Sequence, residues 1–266
     1  MMRKFLELWG EWLKPISESS HSQTGYPNPY KSPALEISGK IICGFDFSTS
    51  MRKHGKVASW HWCNETLPEL QSRWPGLEMH LLGVNAGVFE IEPCLNESFV
   101  HLSKIPRFQP EVFVKKRVHP NGMLQSGSAF EDFFVRARNI VKPLLRQRKY
   151  PWEPIIVALI CDGAPRRSSA TIQDAERALK WMRKRGVKVS VSCFVPKTPA
   201  VRREMATFRD SLFPKEVVEN EFAMIFQTES SNDQSSSVAL ASLVDSIMAT
   251  GEQAESESKL ASDPNE

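Results

Sequence analysis

Seven consecutive residues, Ile155-Ile156-Val157-Ala158-Leu159-Ile160-Cys161, carry no polar side chain. A strand with no polar face needs cover on both sides, which is the condition of a central strand in a parallel sheet flanked by helices. Pro151 and Pro154 precede the run and mark where it starts. Ile41 to Phe45 reads as a second buried strand, and Val187 to Val195 as a third. Helical patterns lie between them. Strands that alternate with helices imply an α/β fold: a doubly wound, mainly parallel sheet with helices on both faces.

The rest of the chain fits that scheme. From about Leu35 a strand runs to Phe45. A helix is expected over about Lys53 to Trp74, bent or broken at Pro68. A strand at Glu78 to Asn85 turns at Gly87 into Val88 to Glu92, an antiparallel hairpin at the sheet edge. Pro93 to Ser126 holds four prolines and reads as irregular. Helices are expected over about Ala129 to Gln147, over Ile172 to Arg185 with Gly186 closing it, over about Ala200 to Leu212 and over Val238 to Met248. A strand is expected at Phe222 to Gln227. Before all this, Met1 to about Leu13 reads as a short amphipathic helix ended by Pro15. It either packs on its own domain or docks a partner or a membrane surface. Ser17 to Pro33 reads as a linker. The expected organisation is therefore an N-terminal helix and linker (1–34), one domain (35–250) and an acidic tail (251–266) in which disorder is expected.

Composition narrows the setting. The formal charge of +3 over 266 residues is too small to argue for nucleic acid. The five cysteines are scattered, with no C-x-x-C. Cys43, Cys161 and Cys193 sit in apolar runs and read as small buried hydrophobes of a reducing compartment. No apolar run is long enough to span a bilayer, and the N-terminus lacks a secretory pattern. A cytoplasmic protein is the default expectation.

In doubly wound sheets, ligands bind beyond the carboxyl ends of the strands. Three motifs fall there. Asp46-Phe47-Ser48-Thr49-Ser50 follows the first strand and sets a carboxylate and two hydroxyls at i, i+2 and i+4. Hard oxygen ligands of this kind suit Mg²⁺. The alternative is a serine-rich turn whose hydroxyls bond the local backbone. Cys161-Asp162-Gly163-Ala164-Pro165 closes the most hydrophobic strand, and Ser126-Gly127-Ser128 opens the helix before it. Asp46, Ser48, Ser50, Ser128 and Asp162 would then surround one point. Each piece alone is weak, and their order and placement together are not.

On these residues, over about Leu35 to Met248, the chain resembles the von Willebrand factor type A (vWA) domains and their metal-ion-dependent adhesion site. Within that family it looks most like the bacterial TerY-type proteins of tellurite-resistance and stress operons, on Asp162 to Pro165 and on Ser126 to Ser128. Two features depart from the pattern. The usual Thr is Ser128, which keeps the hydroxyl but loses the methyl group that restricts its rotamer. The cysteine-rich zinc-binding tail of some TerY-type proteins is absent. The resemblance implies Mg²⁺, with Mn²⁺ or Ca²⁺ as alternatives, and an open position on the ion for an acidic residue of a partner protein. A kinase or phosphatase of the same operon would be such a partner. Arg52, Lys53, Arg166 and Arg167 form a basic rim suited to an acidic ligand, or else are ordinary solvated charges.

Other classes fit less well. Haloacid-dehalogenase-type phosphatases need a second carboxylate two residues after the nucleophilic Asp, and Ser48 stands there. No Gly-rich loop places a Lys, so a P-loop enzyme is unsupported. The basic clusters Lys115-Lys116-Arg117, Arg146 to Lys149 and Arg183 to Arg185 read as solvated faces rather than a nucleic-acid surface. The histidines form no metal pattern. The expectation is a metal-dependent interaction module and not an enzyme.

Overall fold

The computed structural model describes residues 13–14, 38–48, 51, 62–91, 94, 96, 98–105, 107–108, 128–148, 153–161, 170–193, 203, 207, 210, 226–227, 244–245 and 247–249. Its strands are β1 (Leu13–Lys14), β2 (Gly39–Asp46), β3 (Leu77–Val84), β4 (Val88–Glu90), β5 (Val100–His101), β6 (Arg107–Phe108), β7 (Ile155–Cys161), β8 (Lys188–Cys193) and β9 (Phe226–Gln227). The long helices are α1 (Leu67–Arg73), α2 (Phe130–Gln147) and α3 (Ile172–Arg183). The main sheet runs in the order β4-β3-β2-β7-β8-β9, with β5 also on β3. The pairs from β3 through β9 are parallel, and β4 and β5 join β3 antiparallel. This is the doubly wound, mainly parallel α/β sheet with an antiparallel edge.

Alternation along the strands divides the interior in two. Ile41, Cys43 and Phe45 of β2 face one core, shared with Leu67 and Leu70 of α1 and with Val244, Ile247 and Met248. Ile42 of β2 and Leu82 and Val84 of β3 face the other, shared with Phe130, Phe133, Ala137 and Ile140 of α2 and Leu179 and Met182 of α3. Every residue of β7 is buried because both cores meet it. The α2 side chains in the second core recur at i, i+3, i+4 and i+7, one face of a helix.

Pro68 sits in the first turn of α1, where its missing N–H costs nothing. The segment before it, Trp62–Thr66, is a π-helical turn, so Pro68 divides the expected long helix. Trp74 then donates its indole N–H to Asp245 at 2.8 Å, tying the end of α1 to the terminal helical residues. Gly186 closes α3 with φ +73°, a conformation that favours glycine. Cys43, Cys94 and Cys161 are buried, and burial pushes the Cys94 thiol up to about 11.

Two expectations need correction. Leu13, expected as the last residue of an N-terminal helix, pairs with Phe108 in the short antiparallel ladder of β1 and β6. The remainder of that helix, the linker and the acidic tail lie outside the described residues. The stretch after Glu92, expected as irregular, supplies β5, a 3₁₀ turn at Leu102–Lys104 and β6. Two-residue strands are too short to leave a periodicity in the sequence.

A candidate metal centre at the carboxyl edge

The chain leaves β2 for β3 on one side, while β7 flanks β2 on the other. The carboxyl ends of β2 and β7 therefore lie at the topological switch point of the sheet, where ligands of such folds bind. Asp46 stands there as the last residue of β2, opposite Val84 of β3, and is fully buried. Register pairing of Phe45 with Ile160 brings the end of β7 alongside.

Local sequence explains how the first motif is held. Phe45, Phe47 and Met51 are all buried in the α1-side core, with the Phe45 and Phe47 rings 5.5 Å apart and Phe47 6.0 Å from Phe89. The Phe47 N–H donates to Val84 O at 2.7 Å, which prolongs the β2–β3 ladder by one bond. Apolar anchors thus alternate with Asp46 and Ser48. The Ser48 N–H donates to Asp46 Oδ1 at 2.7 Å, and Met51 N–H closes a turn onto Ser48 O at 3.2 Å. Ser48 is only 3% exposed.

Ser128 reaches the same edge from α2. Gly44 has the parity of Ile42 and Asp46, and a Cβ on it would lie 2.5 Å from the Phe133 ring. Its absence lets the first turns of α2 settle directly on β2. The Ala129 N–H donates to Asn85 O at 2.7 Å, and Asn85 follows Val84, the ladder partner of Asp46. Ser128, one residue earlier and 5% exposed, is thereby held at the end of β3.

Of the residues expected at the centre, Asp46, Ser48 and Ser128 thus come to one edge, all buried. Ser50 and Asp162 lie outside the described residues, as do Arg52, Lys53, Arg166 and Arg167 of the basic rim. Cys161, the residue before Asp162, is the last of β7. Among the described residues no group of three His, Cys, Asp or Glu side chains could hold a metal. The donors gathered here are one carboxylate and two hydroxyls. That set has no soft sulfur or imidazole ligand, and its chemistry fits a hard divalent cation that keeps several waters.

Sequence reading passed over two residues of this edge. Asn85 is fully buried, and its side-chain oxygen accepts from the Gly87 N–H at 3.3 Å while its amide nitrogen finds no acceptor among the described residues. Asp132, in the first turn of α2, accepts at Oδ1 from the Ala170 N–H at 2.7 Å. The only signal for Asn85 was a polar residue ending a buried apolar strand. Asp132 left none, since an acid in a first helical turn is ordinary.

No protein-family model matches the chain, and no curated protein does. Among solved structures, it is similar to a von Willebrand factor type A protein from Catenulispora acidiphila, at 13% identity and a TM-score of 0.47, covering 77% of this chain and 42% of that one. It is also similar to proximal thread matrix protein 1 from the mussel byssus with a zinc-occupied MIDAS motif, at 16% identity and TM-score 0.47, covering 79% and 48%. A third is the SpRpn10 VWA domain, at 12% identity and TM-score 0.42, covering 75% and 94%. The chain spans less than half the length of the first two. Likeness at this level concerns the course of the chain and carries nothing about side chains or ligands.

Proposed function

We propose that this chain is a vWA-type interaction module that binds a divalent cation and recognises a partner protein through it. Asp46, Ser48, Ser50, Ser128 and Asp162 would hold the ion, Mg²⁺ first among candidates. When bound, it would supply a Lewis-acidic position for one incoming carboxylate oxygen. The observation that carries this reading is the burial of Asp46, Ser48 and Ser128 together at the sheet's topological switch. Buried oxygens at a strand end cost desolvation that a bound cation offsets.

The chain's own residues do the rest. Phe47 and Met51 anchor the chain on either side of Ser48 to the core, which supports a fixed position for Asp46 and Ser48. Arg52, Lys53, Arg166 and Arg167 would steer an acidic partner and raise its association rate more than its affinity. Binding, not catalysis, is the activity proposed, because Ser48 occupies the position where a phosphatase of this topology needs its acid. The finer setting proposed is a bacterial stress or tellurite-resistance system in the cytoplasm, with a kinase or phosphatase as partner. Among the described residues, no helix is long and apolar enough to cross a membrane.

Calorimetric titration with Mg²⁺ and Mn²⁺ tests the reading. Asp46→Ala should abolish binding while the circular dichroism of the fold persists. Undiminished binding by that variant would sink the assignment. Asp162→Ala should weaken binding less. Partner capture that is equal with and without EDTA would move the interaction to another surface.

A further inference from the structure

We propose that the β3–β4 hairpin, pinned by the side chain of Asn85, sets the spacing between the two halves of the metal centre and so its choice between small and large divalent cations. The inference rests on the metal-site reading above and makes Asn85 a positioning residue of that site.

The hairpin grips both segments that bring buried oxygens to the edge. Toward Asp46 and Ser48, Val84 O accepts from the Phe47 N–H at 2.7 Å, and the Phe89 ring lies 6.0 Å from the Phe47 ring. Phe89 lies across its ladder partner Gly83, where a Cβ would overlap the ring. Toward Ser128, Asn85 O accepts from the Ala129 N–H at 2.7 Å, and Glu90 of β4 pairs with Arg136 of α2 at 3.0 Å. Val84 and Asn85 are consecutive, so two neighbouring peptide carbonyls carry both main-chain bonds. The separation between the Asp46–Ser48 turn and Ser128 is set through them.

Asn85 fixes this stretch. Its N–H donates to Gly87 O at 2.9 Å, and its Oδ1 accepts from the Gly87 N–H at 3.3 Å. A side-chain oxygen bonded to the main chain two residues on closes a turn without help from other elements. The Asn85 carbonyl is thereby held toward Ala129. Asn85 is fully buried, and its Nδ2 finds no acceptor among the described residues. A buried donor without an acceptor lowers stability. Stability alone therefore does not account for an amide here, and its use in the turn does.

The spacing matters because cations differ in what they demand. Mg²⁺ requires near-ideal octahedral geometry with oxygens at about 2.0–2.1 Å, whereas Ca²⁺ accepts varied geometry at about 2.3–2.6 Å. Donors held at a fixed separation favour the smaller ion. Donors that drift lose Mg²⁺ first.

The test uses the full chain, with Mg²⁺ alone and Ca²⁺ alone as probes in calorimetric titrations. Asn85→Ala should weaken Mg²⁺ binding about ten- to a hundred-fold, the range for groups that orient metal ligands. Ca²⁺ binding should change little, so the preference for Mg²⁺ falls by about the same factor. Asn85→Ser keeps a shorter oxygen acceptor and should fall between; it carries the test where the alanine variant does not fold. Asn85→Asp keeps the acceptor at full reach. Its charge should strengthen both ions while the preference between them stays that of the wild type. Hydrogen exchange at the Ala129 and Gly87 amides, measured without metal, should quicken in Asn85→Ala and Asn85→Ser and not in Asn85→Asp. An unchanged preference in the alanine and serine variants, an equal loss of preference in Asn85→Asp, or wild-type exchange at Ala129 would each overturn the proposal. If Asp46→Ala leaves Mg²⁺ binding intact, the metal-site reading itself fails, and the selectivity proposal falls with it whatever the exchange at Ala129.

Discussion

The two ends of the sheet handle polar groups in different ways. At the amino end, charges meet charges. Lys40 pairs with Glu78 and lies 5.6 Å from the Phe99 ring. Glu153 accepts from Ser38 Oγ at 3.4 Å, and its carbonyl accepts from Arg148. Burial lowers the pKa of Lys40 and of Arg148, and the Glu153 carboxylate partly restores both. At the carboxyl end, oxygens meet main-chain N–H groups: Ser48 donates to Asp46, Gly87 and Ala129 to Asn85, Ala170 to Asp132. A neutral N–H orients a carboxylate without cancelling its charge. The amino end is closed on itself and serves stability. In the proposed reading, the carboxyl end is an array of oxygens that a cation would complete.

The strongest way to break this contrast is to loosen the packing at one end and not at the other. Phe133→Ala empties the space over Gly44 and should cost about 3–5 kcal/mol in urea unfolding. It should also weaken Mn²⁺ binding, since Phe133 seats the helix that carries Ser128. Leu77→Ala, at the amino end of β3, should cost about 2–5 kcal/mol. Its folded fraction should bind Mn²⁺ as the wild type does. Equal weakening by both variants would mean that metal binding follows global stability, and the two ends would not be separable functions.

Much of this architecture was legible in the chain. Ile155 to Cys161 had no polar face and became the strand that both cores touch. The strand-end position of Asp46 and the helix-opening position of Ser128 followed from local pattern, which is why both land at one edge. Asn85 and Asp132 were not legible, because their roles depend on bonds to Ala129 and Ala170. Those bonds exist only once the helices have docked. The fate of Leu13 was hidden for a similar reason: its partner Phe108 lies far along the chain and in no periodic segment.

The capping box of α3 gives a smaller effect with a defined pH range. Hydrogen bonds from Thr171, first the hydroxyl and then the main chain, hold Asp174 below the usual carboxylate pKa, with Arg177 adding to the effect. A group with a depressed folded pKa contributes stability above its unfolded pKa, about 3.9. That contribution is lost as pH falls through the lower, folded value. Thr171→Ala should therefore lower the melting temperature by a few degrees at neutral pH. The gap to wild type should shrink as pH falls below about 4. A gap independent of pH would place the effect of Thr171 in its packing rather than in its bond to Asp174.

The smallest effect is expected at the amino end. Lys40 and Glu78 are each about one-third exposed, 32% by side chain, so water screens their attraction. Exposed or partly exposed pairs of this kind contribute roughly 0.2–1 kcal/mol. Glu78→Gln keeps the shape and an oxygen for the Lys40 ammonium, so its cost in urea unfolding should stay within that range. The Mn²⁺ isotherm should not move, because Glu78 stands at the far end of β3 from Val84 and Asn85. A shifted isotherm with unchanged stability would show that charge at the amino end is felt along the strand at the centre. The division of labour between the two ends would then be one of degree.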